Sequence, residues 1–304
     1  MNSYDVLVVG GGAAGLTAAL VLSRARRTVA VVDAGAPRNA PAAHMHGFLS
    51  REGMPPTELL AVGREEISGY GGAFIAGTVT DITPGFTVRL ADGTALAARS
   101  ILIATGLRDE LPDIAGLRGR WGRDVLHCPY CHGYEVRDQP IGVIGGTPET
   151  VAHALLIRQW SPDVLLFPHT NTLTSEQREL LAARGVALAP GAISRVVVVD
   201  DALQGIELTD GSFVRRTSVF VRPHMVANAD LLTRLGCDTD EQGWVRHDAG
   251  GRTSVPRVYV AGNVADPRAQ VITAAGQGSA TGIAINADLV DDDLALALAT
   301  YRAR

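Results

Sequence analysis

The feature that most constrains this chain lies near its start. An apolar run, Val6-Leu7-Val8-Val9, breaks into Gly10-x-Gly12-x-x-Gly15, and a helix-like stretch follows directly. The spacing predicts a buried strand over Asp5–Val9, a helix over Ala14–Arg24 and a second strand over Thr28–Asp33. In such a turn the first glycine permits the bend and the second lets backbone amides approach a pyrophosphate. The third lets helix and strand pack closely. Asp33 ends the second strand, 18 residues after Gly15, where a carboxylate can accept ribose hydroxyls. The fingerprint indicates a dinucleotide and does not by itself distinguish FAD from NAD.

Strand-like and helix-like runs then alternate, which indicates an α/β chain with parallel sheet. A β-rich patch covers Phe74–Leu96 with a hairpin turn at Asp92-Gly93. A strand over Ser100–Ala104 closes on Thr105-Gly106. About 135 residues after the first strand the pattern restarts. It reads as a strand at Pro140–Ile144, a Gly145-Gly146 turn, a helix at Val151–Trp160 and a strand at Val164–Phe167. Two Rossmann-like domains are therefore expected, which a chain of 304 residues can accommodate. A late strand over Val258–Ala261 and a helix from about Ala274 to Val290 return to the first domain. That domain is expected to be discontinuous, residues 1–115 and 244–304, with 116–243 inserted. The Asp291-Asp292-Asp293 run reads as a solvated helix end. Ala104-Thr105-Gly106 and Ala261-Gly262-Asn263 are further small-residue approaches to an extended ligand, and they favour FAD.

A net charge of −5 offers no basic surface for nucleic acid or an anionic membrane. All 27 cationic residues are arginine, which GC-rich coding explains. No basic leader precedes the first apolar run, and no stretch reaches membrane-spanning length. A soluble cytoplasmic protein is expected.

Two of the three cysteines form Cys128-Pro129-Tyr130-Cys131. The pattern suits a cytosolic redox pair rather than a secreted disulfide scaffold. Pro129 is placed as the first residue of a helical turn with Cys128 as its N-cap, where a thiolate is stabilised. His127 and His132 flank the pair and can move protons near neutral pH. A zinc site of His127, Cys128, Cys131 and His132 would crowd four ligands into six residues. A purely structural disulfide would close too small a loop to stabilise much. Cys237, in Leu235-Gly236-Cys237, reads as a buried small residue.

The sequence resembles the low-molecular-weight thioredoxin reductases among the flavin disulfide oxidoreductases over essentially its whole length. The resemblance rests on Gly10–Gly15, Ile103-Ala104-Thr105-Gly106, the Cys-x-x-Cys of the second domain and Gln270-Val271-Ile272-Thr273-Ala274-Ala275-Gly276. It implies an FAD site formed by Gly10, Gly12, Ala13, Ala14, Gly15, Asp33, Asn39, His46, Val79, Ala104, Thr105, Gly106, Gly262, Asn263, Gln270 and Val271. Asn263, at the family's usual aspartate, would meet the ribityl chain, and His44 and His46 would border the flavin. The resemblance makes Cys131 the flavin-facing sulfur and Cys128 the interchange thiol. His132 stands where the family carries an acid and becomes the candidate general acid/base; a histidine capping its turn is the alternative. A homodimer is also implied.

The second glycine turn departs from the family. Thr147 replaces the glycine that approaches a pyrophosphate, Pro148 removes an amide donor, and Pro168-His169-Thr170 offers neither an arginine pair nor a ribose-binding acid. These changes argue against NAD(P)H binding. With Cys128-x-x-Cys131-His132-Gly133-Tyr134-Glu135, the chain is similar to dithiol oxidases of the gliotoxin and holomycin type. Such an enzyme would oxidise a small-molecule dithiol with O2 and release hydrogen peroxide. A reductase of a thioredoxin-like partner, fed by NADPH or ferredoxin, and a flavin-binding redox sensor are the alternatives.

Overall fold

The computed structural model describes residues 2–304. Strand β1 (Asn2–Val9) leads through the glycine turn into α1 (Ala13–Arg24) and β2 (Val29–Asp33), followed by α2 (Pro56–Gly69) and β3 (Ala73–Ala76). An antiparallel excursion, β4 (Val79–Thr83) and β5 (Thr87–Leu90), turns into the long β6 (Ala95–Ile103). β1 pairs in parallel with β2 on one side and along β6 on the other, and Val6–Val9 at its end are buried. Because strand side chains alternate, Val6 and Val8 pack toward α1 while Leu7 and Val9 join a second cluster with Ile101 and Ile103.

Strand β7 (Leu107–Glu110) carries the chain into the second unit. There β8 (Val125–Leu126), the short helix α3 (Pro129–His132), β9 (Ile141–Ile144), α4 (Pro148–Ile157) and β10 (Val164–Phe167) follow in turn. Helix α5 (Ser175–Ala183) and β11 (Ala187–Leu188) precede an antiparallel trio, β12 (Ile193–Val199), β13 (Ala202–Leu208) and β14 (Phe213–Arg215). With β15 (Ser218–Val221), the parallel sheet of this unit runs β11-β10-β9-β15-β8. Its carboxyl-terminal rim therefore carries the residues after β8, β9 and β15 together: the cysteine turn, Gly145-Gly146 and Arg222.

Strand β16 (His224–Ala227) returns the chain to the first unit, which is completed by α6 (Asp230–Arg234), β17 (Val258–Val260) and α7 (Val271–Arg302). β6 pairs at its start with β5 and at its end with β17, so one strand anchors both the excursion and the returning chain. α7 lies against the backbone of α1. A Cβ on Gly278 would stand 2.1 Å from the Ala14 carbonyl oxygen, so only glycine permits this approach.

The units are Met1–Ala40, Pro56–Arg108 and Met225–Arg304 on one hand, and Pro41–Pro55 with Asp109–His224 on the other. The expected joins after residues 115 and 243 differ from these. Leu231, Leu232 and Cys237 pack in one cluster with Leu7 and Val9, which places 225–243 in the first unit. Ile114 packs with Leu117 and Val125, which draws 109–115 into the second. The last helix also runs past Val290. Asp293 meets Arg27 at 2.7 Å and Arg99 at 2.6 Å, and Asp292 pairs with Arg257. Asp292 and Asp293 thus pair with arginines distant in sequence while staying solvent-accessible, and the helix continues past them to Arg302. Among the described residues, no helix is long and apolar enough to cross a membrane.

Candidate functional site

The first unit carries the glycine turn in the expected place. Gly10 adopts φ +107°, and a Cβ there would lie 2.4 Å from the Ala104 carbonyl oxygen. A Cβ on Gly15 would lie 2.0 Å from the Gly10 oxygen, so both positions require glycine for the chain to pack. Gly12 differs: a Cβ there would meet nothing within 4 Å. That open space sits before the N-terminus of α1, where Ala13 and Ala14 begin the helix and no side chain among the described residues caps it. An uncapped N-terminus with its amides facing outward suits a pyrophosphate. The same holds at α7, whose N-cap Gln270 makes no side-chain cap and whose first residue is Val271. The residues present therefore fit a long anionic dinucleotide such as FAD.

Asp33 accepts the Gly11 amide at 3.1 Å and the Arg64 guanidinium at 3.0 Å. Arg64, on α2, carries no local sequence signal. Thr105 donates its hydroxyl to the Asn228 carbonyl at 2.8 Å, and the Asn228 side chain donates back to the Thr105 oxygen at 2.9 Å. The Gly106 carbonyl receives the Asn228 amide. Gly262 donates to Gln277, which in turn donates to Asp266. Asn263 spends its amide donor on the carbonyls of Asp266 and Ala269, leaving its side-chain oxygen for a ligand hydroxyl. Asn39 lies in the loop after β2, and Val79 opens β4 with its side chain against the core. Arg64, Asn228 and Gln277 are supports that the motif alone does not announce.

In the second unit, Cys128 is the N-cap of α3 with Pro129 at its first position, as the spacing predicts. Cys128 and Cys131 are joined by a disulfide with Cα atoms 5.2 Å apart. The carbonyl of Cys128 accepts the amides of Cys131 and His132, both at 3.2 Å, which fixes the turn. Tyr130 stands largely exposed and packs edge-on against Trp160, with ring centres 5.5 Å apart. His132 is half-buried. Burial holds its imidazole below the usual histidine range; Glu135 pulls it back up and His46 pushes it further down. The neutral ring is thereby favoured.

His46 and His44 belong to the segment Pro41–Pro55, which packs with the cysteine unit rather than with the glycine turn. His46 meets Glu52 at 2.6 Å through Nδ1 and Glu135 at 3.5 Å through Nε2. His44 donates to the Gly53 carbonyl at 2.9 Å. Behind the cysteines, His127 faces the buried His153 of α4, ring centres 5.9 Å apart. His153 drops to about 3, mainly through burial and then through the nearby charges of His127 and Arg222. Cys237 is unbridged and buried, and burial raises its thiol. Among the described residues no group of three or more histidine, cysteine or carboxylate side chains is arranged to hold a metal ion.

The second glycine turn is closed by the chain itself. Thr147 caps α4 by accepting the Thr150 amide, and Pro148 is the first residue of that helix. Glu149 is held below the usual carboxylate range by its own backbone amide, then by the Thr147 hydroxyl and by Arg222. A Cβ on Gly146 would lie 2.6 Å from Asn171, so the space before this turn is filled. His169 spends Nδ1 on the Ile193 amide at 2.9 Å.

Comparison with known proteins follows this geometry. Residues 4–278 match the family described as pyridine nucleotide-disulphide oxidoreductase. Thioredoxin reductase sirT of Leptosphaeria maculans is 30% identical over 314 residues, covering 96% of each chain. Thioredoxin reductase tcpT of Claviceps purpurea is 30% identical over 310 residues with the same coverage. The crystal structure of HlmI superposes with a TM-score of 0.96 at 57% identity, over 98% of this chain and 96% of that one. The putative thioredoxin reductase TrxB from Bacillus anthracis gives 0.92 at 31% identity, over 95% and 99%. These similarities bear out the resemblance read from the motifs and the α/β class with parallel sheets.

Proposed function

Because the chain belongs to the pyridine nucleotide-disulphide oxidoreductase family, we propose that it is a flavin-dependent oxidase of small-molecule dithiols with oxygen as acceptor. The observation that carries this reading is the contrast between helix N-termini. Those of α1 and α7 have no side-chain cap, whereas that of α4 is closed by Thr147, Pro148 and Glu149. The contrast supports a dinucleotide on the first unit and argues against one on the second. Gly10, Gly12, Gly15 and Asp33 would hold FAD, which would supply a two-electron acceptor for the reduced cysteine pair.

The chemistry at the protein is thiol–disulfide exchange. His132 takes the proton of one substrate thiol, and the resulting thiolate attacks the Cys128 sulfur. The Cys128–Cys131 bond breaks and Cys131 leaves as a thiolate. The second substrate thiol, its proton lost to solvent, attacks the substrate sulfur of the mixed disulfide, Cys128 leaves as a thiolate, and the cyclic disulfide product departs. Two electrons now reside on the cysteine pair. The position of Cys128 at the N-terminus of α3 favours its thiolate as a leaving group. We place the enzyme in a reducing cytoplasm as a homodimer, with a small dithiol and oxygen as its partners.

The second reading, a reductase of a thioredoxin-like protein driven by NADPH or ferredoxin, draws support from Arg222, a cation at the rim of the second sheet. One experiment separates the two. Oxidised enzyme is mixed anaerobically with NADPH, NADH or dithiothreitol while flavin absorbance is followed. Bleaching by the dithiol with little by either nicotinamide, and hydrogen peroxide once air is admitted, is the expected result. Rapid, saturable bleaching by NADPH would replace the oxidase with the reductase.

A further inference from the structure

Thiol–disulfide exchange ties a substrate covalently to the enzyme for one step, so a group near that sulfur meets the substrate at high effective concentration. In the proposed function, on which this inference rests, the sulfur is that of Cys128. It opens the one-turn helix α3, whose end is fixed by the Gly133 amide on the Pro129 carbonyl at 2.7 Å. Across residues 127–133, Pro129 and Gly133 are buried, and both cysteines and both histidines are half-buried. Tyr130 alone in that stretch is exposed, at 63%. The exposed side chain that this turn offers to a substrate body on Cys128 is therefore an aromatic ring.

A single exposed aromatic is ordinary on a protein surface, but this one is held in place. Its ring packs against Trp160 with centres 5.5 Å apart and planes at 87°. Trp160 is itself seated on the turn, since a Cβ on Gly133 would stand 2.9 Å from its ring. The Trp160 carbonyl accepts the Asp138 amide at 2.9 Å. The next residue, Ser161, is buried and donates its hydroxyl to the Gln139 carbonyl at 2.6 Å. In an edge-to-face pair the partner covers at most one face of a ring, so Tyr130 keeps a face free. Tyr134, the other exposed ring of this segment, already carries the Arg137 guanidinium at 3.9 Å. A free aromatic face favours flat apolar groups through offset stacking, and a polar aliphatic chain gains less there.

We propose that Tyr130 is a specificity-determining residue. Its free face meets the body of the substrate in the mixed disulfide with Cys128, and it favours dithiols built on a flat apolar ring over those built on a polar chain. Trp160 is the positioning residue that fixes the ring.

The test uses Cys131→Ser holoenzyme, in which Cys128 is a free thiol. The protein is equilibrated with benzyl mercaptan, mercaptoethanol and their disulfides, and mass spectrometry of the Cys128 peptide gives the ratio of the two mixed disulfides. Adding Tyr130→Ala should lower the benzyl share relative to mercaptoethanol about 2- to 10-fold, the range of one aromatic pair. Tyr130→Phe, which keeps the ring, should hold the parent ratio. An unmoved ratio in Tyr130→Ala, or an equal fall in Tyr130→Phe, would overturn the proposal. A ring that only packs on Trp160 predicts the unmoved ratio, together with a lower Tm. The exchange needs neither flavin reduction nor oxygen. In parallel, with both cysteines intact, flavin bleaching by ortho-benzenedimethanethiol and by dithiothreitol is timed anaerobically; both dithiols close to cyclic disulfides of the same ring size. The rate ratio should fall in Tyr130→Ala as the exchange ratio does, and an unchanged rate ratio would overturn the substrate role. If neither dithiol bleaches the flavin of the unsubstituted enzyme, the oxidase reading fails, and the exchange ratio still decides what Tyr130 meets.

Discussion

His153 offers a prediction that depends only on the second unit. Its buried ring lies between His127 and Phe220. It drops to about 3 from the ordinary 6.5 because burial excludes the charged form, with His127 and Arg222 adding to the effect. In the unfolded chain the same ring protonates as pH falls through about 6.5. The unfolded state therefore binds more protons than the folded one from about 6.5 down to about 3, and stability is lost across that window. At pH 5 the loss is 1.5 pH units at 1.36 kcal/mol each, about 2 kcal/mol. Because pH 5 lies well above the folded value, the unfolded state sets this figure. His153→Leu keeps a helix-favouring apolar side chain of similar bulk and cannot titrate. Urea unfolding should be followed by the fluorescence of Trp121 and Trp160, both in the second unit. Between pH 8 and pH 5 the variant should lose about 2 kcal/mol less than wild type. Equal losses in the two proteins would show that His153 is protonated, or hydrogen-bonded, in the fold and would refute the argument.

The remaining predictions concern the site. Cys128→Ser should leave a Cys131 thiolate that gives a long-wavelength charge-transfer band with the flavin, Cys131→Ser should lack the band, and neither should turn over; a band in the Cys131 variant only would reverse the two roles. His132→Ala should lower turnover near neutral pH by about 10²- to 10⁴-fold, with partial recovery at higher pH where thiols ionise unaided; a small, flat effect would return the residue to a structural role. Gly12→Ala should fold with unchanged circular dichroism yet purify with less pigment, since a Cβ there meets no protein atom within 4 Å. Gly15→Ala, whose Cβ would press on the Gly10 carbonyl, should lose thermal stability itself, and the same Tm in both variants would contradict the distinction.

What was legible in the sequence is what is local. The β1–α1–β2 turn, the N-cap role of Cys128 and the burial of Cys237 follow from neighbours a few residues apart. The α7 extension was not legible, because Arg27, Arg99 and Arg257 pair with an acidic run up to 266 residues away. The assignment of Pro41–Pro55 to the cysteine unit depends on Met45 and on contacts near Gly122, which no periodicity reports. For the same reason no periodicity reports that His46 pairs with Glu52 and Glu135. The closed turn at Thr147 was anticipated from missing glycine; that Glu149 and Asn171 complete the closure required the structure.

The threading of the first unit has a consequence for biogenesis. Gly278 and Ile285 of α7, which cover α1, leave the ribosome long after the strand and helix they complete. Until they emerge, Ala14, Ala18 and Leu22 keep an apolar stripe uncovered. The second unit, spanning Pro41–Pro55 and Asp109–His224, has all its pieces synthesised earlier and can close first. The dithiol centre is therefore assembled on a nascent chain that has no finished cradle for its cofactor. A chain stopped before α7 would carry the cysteine pair but leave Ala14, Ala18 and Leu22 uncovered.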